Sequence, residues 1–313
     1  MAARITVIGA GVIGLSCAVR LAEAGHAVDV MAREMPLETT SAVAGGLWMP
    51  FLAEPVEQVR RWSHATHAAF TELAEDNDAR RTGVVPRPGY LVGLRERPTF
   101  ADGLDGVAVT PVSHPHPDHR SGWHLTVPVV DMTVYLPYLV RRLEAAGGTL
   151  TRLPLAALPT RGVVVNCTGL ASRALAADPA VHPVRGQVLR MSNPGITEWW
   201  ADESDPEVLT YVLPQTRQVV VGGTAQVNDF DTTPDENVAA QILERAKRLV
   251  PGLARATVLS HRVGLRPARP SVRLETVPGP DGTTVHCYGH GGSGVTLSWG
   301  CADDVLAEVS RLT

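Results

Sequence analysis

Cysteine is scarce in this chain. Cys17, Cys167, Cys287 and Cys301 include no C-x-x-C pair, so buried free thiols are expected rather than disulfides or a metal site. Excess positive charge is also missing. The formal net charge is −4 and the sequence pI about 6.3, and the basic residues are scattered, which leaves no face for a nucleic acid. No apolar run approaches the length that spans a bilayer, and no basic-then-apolar leader precedes the first strand-like segment. A soluble protein that stays inside the cell, away from membranes and nucleic acids, is the expectation. Internal repeats and low-complexity stretches are absent. With 313 residues the chain can bury a large core in one or two domains.

What is present begins at the N-terminus. Arg4-Ile5-Thr6-Val7-Ile8 is an apolar β-branched run, Gly9-Ala10-Gly11-Val12-Ile13-Gly14 is a G-x-G-x-x-G turn, and a helix-period segment follows until Gly25. Ala27-Val28-Asp29-Val30-Met31 then reads as a second strand. This is a βαβ unit that binds a dinucleotide. Gly9 makes the tight turn, Gly11 admits backbone close to a pyrophosphate, and Gly14 lets helix and strand approach, while the unpaired helix N–H groups face the phosphates. The acidic residue that usually takes the ribose hydroxyls belongs near position 32. Ala32-Arg33-Glu34 stands there instead, so the ribose contact is displaced or made by Glu34.

Thr39, Thr40 and Ser41, before Gly45-Gly46-Leu47-Trp48-Met49, read either as a hydrogen-bonding loop for a flat ring system or as a helix cap with a packed glycine turn. Val56, Val59, Trp62, Thr66, Phe70 and Leu73 share one face of a helix over 56–75. From Arg81 to Pro128 the composition turns to short strands rich in Pro, Gly and Asp, which suggests an inserted β-rich domain. Within it His114-Pro115-His116-Pro117-Asp118-His119 has the look of a metal cluster. The interleaved prolines fix an extended loop, and histidines in such loops are usually solvent-exposed, so no metal is expected.

Asp131 caps a helix running to Ala146, and Val163–Gly169 is a buried strand returning to the nucleotide domain. Val208–Leu213 and Gln218–Gly222 pair as a hairpin. Thr233-Pro234-Asp235-Glu236 reads as a capping box opening a helix through Leu249. Gly264-Leu265-Arg266-Pro267-Ala268-Arg269-Pro270 reads as a rigid turn presenting arginines. After a strand at Thr284–Tyr288 comes a second glycine-rich helix start, Gly289-His290-Gly291-Gly292-Ser293-Gly294-Val295-Thr296-Leu297. One such turn suits a pyrophosphate. The other suits the pyrimidine end of a flavin, where hydride uptake leaves negative charge that a helix N-terminus stabilises. The choice between NAD(P) and FAD therefore falls on FAD.

From Val7-Ile8-Gly9-Ala10-Gly11-Val12-Ile13-Gly14 to Trp299-Gly300-Cys301-Ala302, the chain resembles the D-amino-acid oxidase family of FAD enzymes. Ala44-Gly45-Gly46-Leu47-Trp48, Asn166-Cys167-Thr168-Gly169, Arg185-Gly186-Gln187, Tyr211-Val212-Leu213-Pro214, Gly222-Gly223-Thr224, Gly264–Pro270 and Tyr288–Gly294 carry the likeness in the family's order. The resemblance implies a Rossmann-type α/β FAD-binding domain (1–80, 130–180 and 284–313), interleaved with a β-rich, p-hydroxybenzoate-hydroxylase-like substrate domain (81–129 and 181–283). It implies Gly9, Ala10, Gly11, Val12, Ile13 and Gly14 on the phosphates of FAD, and Arg33, Glu34, Leu153 and Thr168 on the adenosine side. Thr39, Thr40, Ser41, Gly46 and Leu47 fall along the pyrophosphate and flavin, and Gly291, Gly292, Ser293, Gly294, Val295 and Thr296 over the flavin end.

For the substrate, the resemblance implies that Arg266 pairs with the α-carboxylate, Tyr211 adds a hydroxyl to it, and the Gly292 carbonyl accepts from the amine. Met49, Ala225 and Ser293 would complete the pocket. Arg269 and Arg273 read better as structural ion pairs. The implied reaction moves the Cα hydrogen to flavin N5 as hydride, with oxygen reduced to hydrogen peroxide and the imino acid hydrolysed to a 2-oxo acid and ammonia; positioning carries the catalysis. Glu207 stands where many vertebrate members carry a lid tyrosine, so a short lid is expected. Ala225 stands where the D-aspartate branch places an arginine, so neutral D-amino acids are the expected substrates and D-aspartate a poor one. The rival readings are a glycine or sarcosine oxidase of the same architecture, a D-aspartate oxidase, an NAD(P) dehydrogenase and a non-enzymatic FAD-binding protein. Family members are often dimers, so a homodimer rests on the resemblance alone. Arg311-Leu312-Thr313 is not a peroxisomal address of the S-K-L type, and the Ala/Arg/Gly/Pro-rich composition suits a bacterial, cytoplasmic protein.

Overall fold

The computed structural model describes residues 4–51, 53–75, 79–205 and 208–313. Its strands, in chain order, are β1 (Arg4–Ile8), β2 (Ala27–Ala32), β3 (Val84–Val92), β4 (Thr110–His116), β5 (His119–Val130), β6 (Thr149–Arg152), β7 (Arg161–Asn166) and β8 (His182–Ser192). They continue as β9 (Trp199–Asp202), β10 (Thr210–Pro214), β11 (Gln218–Gly222), β12 (Gln226–Val227), β13 (Val258–Ala268), β14 (Arg273–Pro278) and β15 (Asp281–Tyr288).

Six of them form one sheet in the order β14-β15-β7-β1-β2-β6. All its pairings are parallel except the hairpin β14–β15. β1 lies between two parallel neighbours, and its Ile5 and Val7 are completely buried, which is why an apolar run rather than an alternating one encodes it. The helix Val12–Glu23 follows β1 directly and packs on the C-terminal helix Gly294–Ser310. Trp299 fixes that layer from the inside. Its indole N–H donates to the Tyr135 hydroxyl at 2.8 Å, and the guanidinium groups of Arg20 and Arg142 lie 4.6 and 4.9 Å from its ring. All four cysteines are free and buried, as their spacing suggests.

The other strands form a nine-stranded mixed sheet, β12-β8-β11-β10-β9-β3-β5-β4, with β13 paired to β8. The chain crosses between the two sheets several times. β14 falls within the 181–283 stretch, yet it pairs in the parallel sheet through β15.

Several local expectations are corrected. Val56 is 62% exposed, while Val59, Trp62, Thr66, Phe70 and Leu73 are buried as the helical period requires. Helix Glu236–Leu249 starts two residues later than the capping box suggests. Its cap is Asp235, whose carboxylate accepts the N–H groups of Asn237 and Val238 at 2.8 and 3.2 Å. Arg185 donates to the Thr233 carbonyl at 2.7 Å, and Gln187 holds Asp235 by both backbone groups, so this stretch is tied to β8 before the helix begins. The Gly264–Ala268 segment is not a turn but the end of strand β13, in register with β8. The histidines at 114–119 belong to the β4–β5 hairpin. His116 and His119 are half-buried, contacting the Arg248 carbonyl at 3.0 Å and the Asp202 carboxylate at 3.3 Å, so they are structural partners rather than a solvent-exposed loop. The lid position, Glu207, lies outside the described residues.

Candidate active site

The carboxyl ends of β1, β2, β7 and β15 open onto a cavity of about 760 Å³, placed where ligands sit in open parallel α/β sheets. One wall is the first glycine turn. Gly9 has a φ of 114°, which glycine alone adopts freely, and a Cβ there would strike the Cys167 carbonyl. A Cβ on Gly14 would strike the Gly9 carbonyl, so this glycine sets the close approach of helix to strand. A Cβ on Gly11 would meet only Ser41 Oγ, at 3.1 Å, and the backbone there faces open space. Space of this shape, bounded by backbone N–H groups, fits a pyrophosphate.

The neighbouring hydroxyls are largely committed inside the protein. Ser41 Oγ accepts the Val12 N–H at 3.0 Å, Thr39 donates to the Pro36 carbonyl at 2.7 Å, and Thr40 donates to the Leu265 carbonyl at 3.2 Å. They therefore shape the wall that they line. Beyond β2, Arg33 pairs with Glu34 at 2.7 Å, and Arg152 with Glu38 at 2.7 Å. Glu38 also accepts the Met35 N–H at 2.9 Å; the Arg152 hydrogen bond, with this one, holds its carboxyl below the usual range. Glu38 lines the cavity and went unforeseen, although it stands four residues past Glu34 in a short helical turn.

The far end of the cavity lies against the nine-stranded sheet. Arg266, on β13, donates from Nη1 to the Thr224 carbonyl at 2.8 Å and sits 5.9 Å from the Phe51 ring. Tyr211, on β10, faces Gly222 across the hairpin register. Two glycines make room for these side chains. A Cβ on Gly186 would lie 2.5 Å from Arg266 Nη1, and one on Gly222 would run into the Tyr211 ring and hydroxyl. Burial raises the Tyr211 pKa, and the adjacent Arg266 guanidinium only partly offsets it, so the hydroxyl stays protonated and able to donate.

The second glycine turn closes the cavity. Gly291 has a φ of 54°, and its N–H donates to the Pro267 carbonyl at 3.0 Å, which ties the turn to the strand carrying Arg266. Ser293 and Thr296 are spent elsewhere. Ser293 Oγ donates to the Phe51 carbonyl at 2.7 Å and accepts its N–H at 2.6 Å; Thr296 Oγ1 makes the same pair with Met49 at 3.0 and 3.2 Å. These two hydroxyls strap the 49–51 segment to the start of the C-terminal helix.

Of the residues expected at the site, the cavity wall contains Gly9, Ala10, Gly11, Val12, Ile13, Arg33, Glu34, Thr39, Thr40, Ser41, Gly46, Leu47, Met49, Leu153 and Thr168. It also contains Tyr211, Arg266, Gly291, Gly292, Gly294 and Val295. Gly14, Ala225, Ser293 and Thr296 stand behind or beside it. Phe51, Gly186, Asp202, Glu203 and His290 line it without having been assigned there. Phe51 carries no sequence signal beyond following Pro50, whereas Gly186 sits inside the Arg185-Gly186-Gln187 motif. Arg269 and Arg273 turn to Asp178, at 2.9 and 3.7 Å, and are structural.

The family model of FAD-dependent oxidoreductases of the DAO type matches residues 4–308. A D-amino-acid oxidase of Rubrobacter xylanophilus is 46% identical over 97% of this chain and 95% of its own length. One of Streptomyces coelicolor is 45% identical over 98% of this chain and 96% of its own. Among solved structures, a glycine oxidase of Bacillus cereus superposes with a TM-score of 0.81 at 19% identity, covering 99% of this chain and 96% of that one, which shows the shared fold. A glycine-walled dinucleotide cavity at the sheet ends, with an arginine and a tyrosine facing it from the second sheet, accords with those matches: the chain belongs to the D-amino-acid oxidase family of FAD-dependent oxidoreductases.

Proposed function

We propose that the protein is a D-amino-acid oxidase that converts neutral D-amino acids, oxygen and water to 2-oxo acids, ammonia and hydrogen peroxide. The observation that carries the reading is the placement of Arg266 and Tyr211 in the wall of the one cavity that the Gly291–Gly292 turn also lines. The planar guanidinium pairs with the α-carboxylate, and the Tyr211 hydroxyl donates a further hydrogen bond to it. The Gly292 carbonyl accepts from the amine. With the carboxylate and the amine both held, a single face of Cα is turned toward the cofactor, which selects the D-enantiomer.

Gly9, Gly11 and the N-terminus of helix Val12–Glu23 would hold the FAD pyrophosphate, and the Gly291–Val295 turn its flavin end. FAD supplies the two-electron acceptor and its reoxidation by oxygen. The protein's share is orientation and exclusion of water, without a side-chain acid or base at the reacting carbon. Ala225 offers no cation to a side-chain carboxylate, which favours neutral substrates over D-aspartate. Among the described residues no helix is long and apolar enough to cross a membrane, and a cytoplasmic location is part of the reading.

The test is anaerobic mixing of the FAD-loaded protein with D-alanine, D-valine, D-aspartate, L-alanine and sarcosine, following flavin absorbance. Bleaching by D-alanine and D-valine alone is expected. Bleaching by sarcosine instead would replace this reading with a secondary-amine oxidase.

A further inference from the structure

Strand β9 ends beside the substrate end of the cavity, and its alternation is clear. Trp199 and Ala201 are buried on one face, Trp200 and Asp202 half-buried on the other. The Glu203 N–H donates to the Val92 carbonyl at 2.9 Å, so the strand direction continues one residue further and returns Glu203 to the face of Ala201. Ala201 pairs with Tyr211. Two residues of extended chain, about 7 Å, therefore separate Glu203 from the level of the proposed carboxylate site.

Asp202 and Glu203 both line the cavity, but only one is already partnered. The Asp202 carboxylate takes the Ser204 N–H at 2.9 Å and its hydroxyl at 2.6 Å, and lies 3.3 Å from His119 Nε2. Among the described residues, no cation or hydrogen-bond donor reaches the Glu203 carboxylate. Burial, with the neighbouring Asp202 charge added, pushes its pKa up, as expected of a half-buried acid that no described residue compensates. Leaving such a group unpaired is costly unless a ligand supplies the partner.

We propose that Glu203 is the specificity determinant of the side-chain subsite, admitting D-amino acids with a cationic side chain alongside neutral ones and repelling acidic ones. This rests on the oxidase reading above. A lysine side chain spans about 6 Å from Cα to its nitrogen, five bonds of about 1.5 Å in zigzag, comparable with the spacing of about 7 Å along the strand between Glu203 and the residue paired with Tyr211.

The test compares kcat and KM of the FAD-loaded enzyme on D-lysine and on D-norleucine, a neutral chain of similar length. The wild type oxidises both. Glu203→Gln is expected to lower kcat/KM for D-lysine at least tenfold, chiefly through KM, with D-norleucine within threefold of the wild type. Glu203→Lys should abolish D-lysine turnover and bring in D-glutamate. Equal losses on both substrates, or D-lysine turnover unchanged in Glu203→Gln, would overturn the assignment. So would a wild type that oxidises D-norleucine and ignores D-lysine. Failure of the wild type on every D-amino acid would instead remove the oxidase reading itself.

Discussion

Gly186 offers a direct probe of how tightly the proposed carboxylate site is placed. It lies in β8 opposite Gly264 of β13, and an added Cβ would sit 2.5 Å from Arg266 Nη1 and 2.6 Å from Cζ and Nη2. Ordinary contact is about 3.5 Å or more, so the guanidinium must move by about 1 Å. The obstructing atoms are the end of a flexible side chain, and Gly186 does not have a left-handed backbone, so the strand tolerates alanine and even gains from it. Folding and FAD content should thus survive in Gly186→Ala while the guanidinium leaves its place. A misplacement of that size costs on the order of 100-fold, or ~2.7 kcal/mol of transition-state stabilisation. Peroxide release from D-alanine, with bound flavin measured by visible absorbance, reads both quantities. A flavin-loaded variant with kcat/KM within threefold of the wild type would refute the idea that glycine at 186 exists to seat Arg266.

Three further outcomes are expected. Ala225→Arg should raise activity on D-aspartate relative to D-alanine at least tenfold; no gain would count against side-chain charge as the reason for a neutral preference. Asp178→Asn should destabilise the protein by about 2 kcal/mol in denaturant titration, because it leaves the partly buried Arg269 without its carboxylate and Arg273 with Glu275 alone. His286 has its pKa lowered from the usual 6.5 to about 4, first by burial and then by the charge of Arg273, and as a neutral ring it accepts the Asn166 amide at 3.1 Å. In the unfolded chain it protonates first as pH falls, so the stability it contributes is complete above pH 6.5 and is lost as pH falls toward 4. The melting temperature should decline across that window, and His286→Asn should show a shallower decline.

Much of the architecture was legible because the signals were local. The βαβ unit at 4–32 follows from an apolar run, three spaced glycines and a helical period; the helix at 132–145 follows from Asp131 and the spacing of Tyr135, Leu139 and Leu143. Such patterns depend on neighbours within a turn or two, and the chain spells them out. The capping-box reading at Thr233 failed for the opposite reason. Its residues are locally suitable, but side chains of Arg185 and Gln187, some fifty positions earlier, claim the backbone first.

Local sequence signals suffice for the dinucleotide turn, the order of the main elements and the family. What each polar group at the site has left to offer depends on how distant segments meet. Ser293 and Thr296 carry the right chemistry in the right motif, yet their hydroxyls bind the 49–51 segment. Glu203 stands in a stretch without a motif, yet it lines the cavity, and among the described residues its carboxylate has no partner. Hydrogen bonds and close contacts join residues distant in the chain, so whether a donor is spent or free, and whether a glycine marks a turn or a gap for a guanidinium, is settled only when the two sheets come together.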